Sequence, residues 1–430
     1  MSNAVLPPTR LLVASMVGTT IEYFDFWLFA TAAVLVFPKL FFPASSPDGA
    51  MLQSMAAFGV AFLARPVGAA AFGHFGDRIG RKATLAGALV IMGVSTTSIG
   101  LLPGYDSIGA AAPLLLTLCR LGQGLGVGGE WGGAALLTTE NAPPNRRFLY
   151  GCFAQLGAPL GFCLANSVLL LLAAVMDESQ FLRWGWRIPF MASAALVMFG
   201  LYIRLNLEET PAFAQARAQN HIKRVPLLAI IRDYPGAMLT GSLGLTAAFA
   251  LACLTSVFSL SWLTTHHGAP HHTLLVMLML GKLVFAIAIP VAAWFSDRNG
   301  GWPMMIGANL AIAAFGFFTA AGLGSGNLWL TGLYVAGGLM LVGVAVGPVA
   351  GAFAAMYPAE VRYTGIALSL NLGGVLGGTL TPYVATFVAN RHGLPAVGWC
   401  LTITALVSAA AFAVAARQRA ACNTLAPAEA

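Results

Sequence analysis

The chain has 430 residues, of which 58% are hydrophobic and only 9% are charged, and its formal net charge is +7 at pH 7. A soluble domain carries about 25% charged residues, so this composition excludes a soluble enzyme and predicts an all-α polytopic membrane protein. The bases are scattered in loops between apolar segments instead of forming one basic face, and no nucleic-acid partner is expected.

Apolar segments bounded by charge, proline or glycine predict twelve transmembrane helices of about 20 residues each. The first six lie near residues 11–36, 53–75, 83–103, 112–138, 149–175 and 187–207. The second six lie near 236–264, 273–295, 304–323, 329–355, 363–389 and 397–416. The polar stretch 208–235 predicts a linker between an N-terminal half (11–207) and a C-terminal half (236–416), and residues 417–430 form a tail.

The distribution of Lys and Arg predicts the orientation of the chain. Fifteen of these bases, including Arg204, fall on the face that carries both termini, the linker and the loop after the second helix. Four fall on the opposite face, and the remaining three, Arg65, Arg120 and Lys282, lie inside predicted helices. Because Lys and Arg are retained on the cytoplasmic side, both termini, the linker and the tail are expected to be cytoplasmic.

Cysteines and histidines give no sign of a metal or redox site. The six cysteines contain no CxxC pair, and five of them lie in apolar segments, as expected of core residues. The histidine pairs at 266–267 and 271–272 match no metal motif and read as loop residues. No cofactor or metal is expected. The expected partners are a small-molecule substrate, protons and the lipid bilayer, with the chain acting as a monomer.

Two landmarks recur at a fixed spacing of 220 residues. Asp77-Arg78 returns as Asp297-Arg298, and Glu140 returns as Glu360. This repeat predicts two duplicated halves, with a substrate site near the middle of the membrane between them. The stretch 73–82 carries an acid followed by three bases with glycines between, and it is expected to form a tight loop at the membrane surface.

Several motifs give the chain its resemblance to a known family. The stretch 73–82 is similar to the signature loop of the major facilitator superfamily, and the chain resembles its metabolite:H+ symporter family, most of all the shikimate-transporter branch. The motifs are Gly18–Phe26, Phe62–Pro66, Arg120–Gly124, Gly128–Gly133, Trp184–Phe190, Glu209–Phe213 and Pro358–Gly365. The second half departs from the signature, because Asp297-Arg298 is followed by Asn-Gly-Gly-Trp without the Gly-Arg-Lys ending.

The resemblance implies secondary active transport in a bacterial inner membrane. The expected activity is proton-coupled symport of a small organic acid or related polar metabolite, similar to shikimate, a dicarboxylate or betaine, by alternating access. A uniporter of the same fold and a membrane sensor that does not transport are the alternatives. An intramembrane enzyme is not expected, because no nucleophile–base pair or metal cluster lies at membrane depth.

Acids inside the first helix are candidates for proton coupling. Glu22 and Asp25 are three residues apart and share one helix face near the middle of the membrane, where a charged carboxylate is costly and protonation removes the cost. The resemblance favours Asp25 as the proton-coupling acid with Arg120 as its partner. A permanent ion pair that locks the first helix to a neighbour is the alternative.

Intramembrane bases and polar residues are candidates for substrate binding, namely Tyr23, Arg65, Arg120, Gln123 and Lys282. An Arg fork suits a carboxylate. The structural alternatives are that Arg120 reaches out to the membrane interface and that Arg65 pairs with Glu22 or Glu130.

A cytoplasmic gate is expected around the signature loop. Asp77 is expected to accept hydrogen bonds from the N-terminus of a helix in the second half, while Arg78 and Arg81 reach acids such as Glu140. The first half is expected to supply most of the charged contacts. The full set of gate candidates is Gly73, Asp77, Arg78, Gly80, Arg81, Glu130, Glu140, Asp297, Arg298, Glu360 and Arg362.

Seven glycines between 122 and 133 remove side chains from one part of the fourth helix. Small residues at this density let helix backbones touch in lipid, so helix packing is the main interpretation. A ligand passing along the bare backbone is the alternative.

Overall fold

The computed structural model describes residues 8–43, 46–206, 215 and 226–425, and these are almost entirely helical. Twelve long helices lie within these residues, and we number them α1 to α12. The first six are α1 (Pro8–Leu35), α2 (Pro47–Ile79), α3 (Arg81–Leu101), α4 (Ala111–Glu140), α5 (Arg147–Val175) and α6 (Arg187–Leu205). The second six are α7 (Pro235–His267), α8 (His271–Asn299), α9 (Gly301–Gly324), α10 (Leu328–Ala354), α11 (Arg362–His392) and α12 (Leu394–Leu425).

The predicted twelve-helix fold is confirmed, since each predicted span has its helix. Eleven of the twelve are long and apolar enough to cross a membrane by themselves. The exception is α4, which carries Arg120, Glu130 and the seven glycines. α12 continues to Leu425, so the predicted tail begins as helix. Of the predicted linker, 208–214 and 216–225 lie outside the described residues, and Pro226–Asp233 is a short helix.

The stretch 73–82 is not a loop as predicted. α2 continues to Ile79, and the chain turns at Gly80 alone, where a φ of 114° ends the helix. Gly300 turns the chain between α8 and α9 in the same way, with a φ of 88°. A side chain is strained at such φ values, so glycine is required at both turns. Most of the charged stretch therefore forms the last two turns of a helix and can pack against a neighbour.

The packing of α1–α6 is repeated by α7–α12. The pairs α2–α4, α1–α5 and α3–α6 of the first half recur as α8–α10, α7–α11 and α9–α12 of the second. The two halves meet through α2 with α11 and, equivalently, through α5 with α8. The functional side chains discussed below lie on these helices and on α4 and α6.

Glycines of α4 allow close helix contact, which agrees with the packing interpretation. A Cβ at Gly124 or Gly128 would overlap backbone atoms of α2, and one at Gly126 would overlap the backbone of α3. On another side, a Cβ at Gly132 would press on Ala367 of α11. α4 is therefore held against three helices at once, and this is how its buried polar residues reach neighbours in both halves.

Candidate transport site and interhelical contacts

Asp25 lies in the middle of α1 and is completely buried. Its Oδ2 accepts a hydrogen bond from the Ser193 hydroxyl of α6 at 2.8 Å, and Thr96 of α3 is a second hydroxyl beside the carboxyl group. Its Oδ1 has no hydrogen-bond partner among the described protein atoms. A buried carboxylate with only hydroxyl donors is costly when charged, and binding a proton removes that cost.

Arg120 of α4 is also completely buried, so it does not reach out to the membrane interface. Its guanidinium group lies over three aromatic rings, at 4.8 Å from the Phe26 centroid, 4.3 Å from Phe29 and 4.7 Å from Phe58. It also donates to the Gln123 side chain at 2.9 Å. Aromatic faces attract a cation without neutralising it, so the charge of Arg120 stays available to an anion.

Asp25 and Arg120 line the same narrow internal pocket, together with Arg65 and Gln123. Among the described residues they form no direct ion pair. Gln123 connects their surroundings, because it accepts from Arg120 and donates to the Thr96 hydroxyl at 2.7 Å. Asp25 and Arg120, which were predicted to be partners, therefore line one pocket without touching each other. The interpretation as a permanent salt bridge does not describe this state of the molecule.

Glu130 was expected at the gate, but the structure pairs it with Arg204 within the first half. Arg204 donates through both terminal nitrogens to the two carboxylate oxygens of Glu130, and it also donates to the Leu85 carbonyl at 2.9 Å. Both side chains are buried. Arg204 lies in the last turn of α6, on the face predicted for it, but its side chain is buried against Glu130 instead of exposed at the surface. The absence of a side chain at Gly18 leaves room for it, because a Cβ there would overlap the guanidinium group.

This buried pair predicts a stability experiment. We expect Glu130→Gln to destabilise the protein by about 3 kcal/mol, because it leaves the Arg204 charge buried without a counter-charge. Thermal unfolding of the purified protein in detergent measures the effect. The double variant Glu130→Met with Arg204→Met is expected to recover most of the loss, since an apolar pair carries no desolvation cost. A single Glu130→Gln variant as stable as the wild type would contradict this interpretation.

Arg65 bridges the two halves near Glu22. It donates from Nε to the Asn371 side-chain oxygen of α11 at 3.3 Å, with Tyr23 beside it. Glu22 is buried within electrostatic range of both Arg65 and Arg204. Among the described residues, it forms a salt bridge with neither of them. Arg65 does not pair with Glu130, whose partner is Arg204.

Lys282 of α8 is 5% exposed, and its ammonium group is surrounded by rings. The nitrogen lies 5.5 Å from the centroid of Trp27, 5.4 Å from Phe162 and 5.6 Å from Phe285. Trp27 and Phe162 belong to the first half, so these contacts cross between halves. We call Tyr23, Trp27, Arg65, Phe162 and Lys282 the inter-half site.

Asp77 makes the contact expected of it. One oxygen accepts from the backbone N–H of Tyr363 at 3.2 Å, and the other accepts from the N–H of Thr364 at 2.9 Å and from its hydroxyl at 2.8 Å. These groups form the N-terminus of α11, where unpaired N–H groups and the helix dipole favour an anion. A Cβ at Gly73 or Gly76 would overlap Thr364 or Tyr363, so these glycines let α2 approach α11.

Asp297 repeats this contact in the second half. Its two oxygens accept from the backbone N–H groups of Phe148 at 2.9 Å and Leu149 at 3.1 Å, at the N-terminus of α5. The missing Gly-Arg-Lys ending therefore does not remove the acid-to-helix contact. The two contacts differ in burial, because Asp77 is only 2% exposed while Asp297 is half-buried.

Two ion pairs at this face share Glu140 of the first half. Glu140 accepts from Arg81 at 3.3 Å and from Arg362 of α11 at 3.0 Å. Arg81 also donates to the Ala359 carbonyl at 3.3 Å, which again joins the halves. The sequence puts Gly301 at the position equivalent to Arg81, so the second half has no guanidinium group there.

Three gate candidates do not join these ion pairs. Arg78 was predicted to reach Glu140, but it is exposed beside the His74 ring instead. Arg298 lies over the Trp294 ring at 3.8 Å. Glu360 forms no salt bridge within the described ranges; it lies near Tyr234, where partial burial and then the Glu360 charge raise the pKa of the phenol.

Sequence reasoning missed several residues that hold the halves together. The Tyr363 hydroxyl donates to the Gly129 carbonyl at 2.7 Å, and the Asn371 side chain donates to the Gly128 carbonyl at 3.0 Å. The Gln155 side chain of α5 accepts from Trp131 at 2.9 Å and donates to the Val346 carbonyl at 3.4 Å. The polar residues in otherwise apolar spans were the available signal for Gln155 and Asn371. Within the described residues, no group of three His, Cys, Asp or Glu side chains is placed to hold a metal ion.

Comparisons with known proteins agree with this architecture. The family described as "Sugar (and other) transporter" matches residues 11–226. The inner membrane metabolite transport protein YhjE of Escherichia coli (strain K12) is 47% identical over 402 residues, which cover 92% of this chain and 91% of the relative. This chain belongs to the major facilitator superfamily. It is a multi-pass membrane transporter of small molecules and not an enzyme.

Further matches place the transporter among metabolite carriers of this superfamily. The shikimate transporter of Escherichia coli (strain K12) is 36% identical, with 89% of each chain covered. The structure of the proton:xylose symporter XylE bound to 6-bromo-6-deoxy-D-glucose has a TM-score of 0.78 at 16% identity, with 94% of each chain covered. That structure shows the same fold. In this superfamily member the halves are joined by Asp77, Asp297 and Glu140 at one face.

Proposed function

We propose that this transporter carries a small organic acid together with protons across the bacterial inner membrane. The observation that carries the proposal is the pocket in which Asp25, fully buried and bound only by hydroxyl groups, lies beside Arg120 without an ion pair. A carboxyl group in these surroundings can bind a proton in one state and release it when Arg120 or water reaches it in the other. Relatives named as metabolite and shikimate transporters support the substrate class.

The proposed orientation follows from the basic residues. The face that carries Gly80, Gly300 and Arg147 is cytoplasmic, and so are both termini, because fifteen of the Lys and Arg residues fall on it and four on the opposite face. With this orientation, the contacts of Asp77, Asp297 and Glu140 are the proposed closure of the cytoplasmic side. Breaking and remaking them is the alternation of access, with the two halves 11–207 and 236–416 moving against each other.

Uptake into proteoliposomes tests the proposal. The purified protein is reconstituted, and uptake of radiolabelled shikimate, 2-oxoglutarate, glycine betaine and proline is measured with and without an inward proton gradient. We expect at least one carboxylate to accumulate above its external concentration only when the gradient is present, with alkalinisation of the outer medium. Uptake that only equilibrates, at the same rate with and without the proton gradient, would identify a uniporter and contradict proton coupling.

A further inference from the structure

We propose that Lys282 makes the inter-half site selective for solutes with a net negative charge, by binding one of their carboxylates. This inference rests on the proposed function as a metabolite transporter and adds the net charge of the substrate, which separates carboxylates with a net negative charge from zwitterions such as betaine and proline. The evidence for it is the set of side chains around the buried ammonium group of Lys282.

The charge of Lys282 has no acidic partner in the described ranges. Its ammonium group is 5.4 to 5.6 Å from three ring centroids, and none of the salt bridges found in the structure includes it. The thiols of Cys163 and Cys253 lie within electrostatic range of it. The rings stabilise a cation through their negative faces but leave its charge intact. A buried cation of this kind is stabilised further by any anion that reaches it.

Two other buried cations near the site have an acid beside them, and a third lies in the neighbouring pocket. Arg204 is bound by Glu130, and Arg65 has Glu22 within electrostatic range and donates to Asn371. Arg120 is enclosed by aromatic rings inside the first half, next to Asp25. When Asp25 holds a proton and Glu22 balances Arg65, the charge that remains in the inter-half site is that of Lys282. A solute with a net negative charge complements it, whereas a zwitterion brings, beside its carboxylate, an ammonium group that Lys282 repels.

The same position connects binding to the halves. Lys282 and Phe285 belong to α8, while Trp27 belongs to α1 and Phe162 to α5. A carboxylate bound to Lys282 therefore lies where both halves contribute contacts. Movement of the halves separates Lys282 from two of its three rings, and an anion bound there replaces the attraction that these rings supplied. Lys282 would therefore bind the charge of the substrate at the contact between the two halves, which must change during transport.

Binding experiments on the purified protein test the inference. Wild type, Lys282→Met, Lys282→Arg and the control Lys39→Gln are titrated in detergent with shikimate, 2-oxoglutarate, glycine betaine and proline, with tryptophan fluorescence as the readout. Lys39 is a suitable control because it is an exposed lysine in a surface ion pair with Glu178. We expect at least one carboxylate to bind the wild type more tightly than either zwitterion. Lys282→Met should weaken that carboxylate by about 10- to 100-fold, as expected for loss of a charge-assisted hydrogen bond.

The variants separate charge from packing. Lys282→Arg keeps the cation and should retain part of the affinity, while Lys39→Gln should bind as the wild type does. Two results would overturn the inference: carboxylate binding that is unchanged in Lys282→Met, and the failure of every carboxylate to bind in a Lys282-dependent way. Because no proton gradient is present, this outcome is independent of the uptake experiment, so failure of proton coupling and failure of anion selectivity are distinguishable.

Discussion

Asp25→Asn is expected to abolish proton-driven accumulation of the substrate while exchange of substrate across the membrane continues. Asparagine has nearly the same shape and can accept the Ser193 hydrogen bond, but it cannot bind or release a proton. One pH unit across the membrane supports about a tenfold concentration ratio for each proton carried, since one unit corresponds to 1.36 kcal/mol. The variant should therefore lose at least about tenfold in accumulation ratio.

Two assays on the same proteoliposomes separate coupling from folding. Net accumulation under an inward proton gradient should disappear in Asp25→Asn, while counterflow, in which external label exchanges with unlabelled internal substrate, should continue. Asp106→Asn is the matched control, because Asp106 is exposed on a short helix between α3 and α4 and away from the pocket. Accumulation that stays proton-dependent in Asp25→Asn would remove Asp25 from the coupling role and direct attention to Glu22.

The fold could be predicted because it depends on local patterns. Apolar segments indicate membrane-spanning helices, the spacing of 220 residues indicates two similar halves, and the glycines of α4 indicate close helix packing. All three agree with the helices and their packing. The helix ends were less certain, as the stretch 73–82 shows. Its charges indicate the membrane surface, but the glycine at position 80 alone decides where α2 ends.

Partners of buried charges could not be predicted to the same degree. Arg204 lies at the end of a predicted span, where its sequence position indicates a surface base, yet it passes the bare backbone of Gly18 to reach Glu130. The aromatic rings around Arg120 come from α1 and α2, at positions that read as ordinary apolar residues. Such contacts depend on which helix faces meet in three dimensions. The sequence limits the set of candidates, but it does not give the pairing.

The contact of Asp77 with α11 leads to the second large prediction. Asp77→Asn removes a negative charge from the N-terminus of α11 and weakens its hydrogen bonds to Tyr363 and Thr364. Charge-assisted hydrogen bonds contribute about 1.5–3 kcal/mol, and the helix dipole adds to this preference. A loss of about 2 kcal/mol shifts the equilibrium between closed and open cytoplasmic sides about 30-fold toward the open state. We therefore expect transport to fall at least about tenfold, with normal insertion into the membrane.

A native cysteine can report this shift. Cys152 of α5 is fully buried near the Asp297 contact, so its labelling by a maleimide should increase when this face opens. In a background with the other five cysteines replaced by serine, the rate should increase most in Asp77→Asn. Asp297→Asn should have a smaller effect, because Asp297 is only half-buried and its hydrogen bonds compete with water. Arg78→Gln should label as slowly as its parent, since Arg78 is exposed and lies beside His74 of its own helix. Equal labelling rates in Asp77→Asn and in the parent would show that this contact does not hold the face closed.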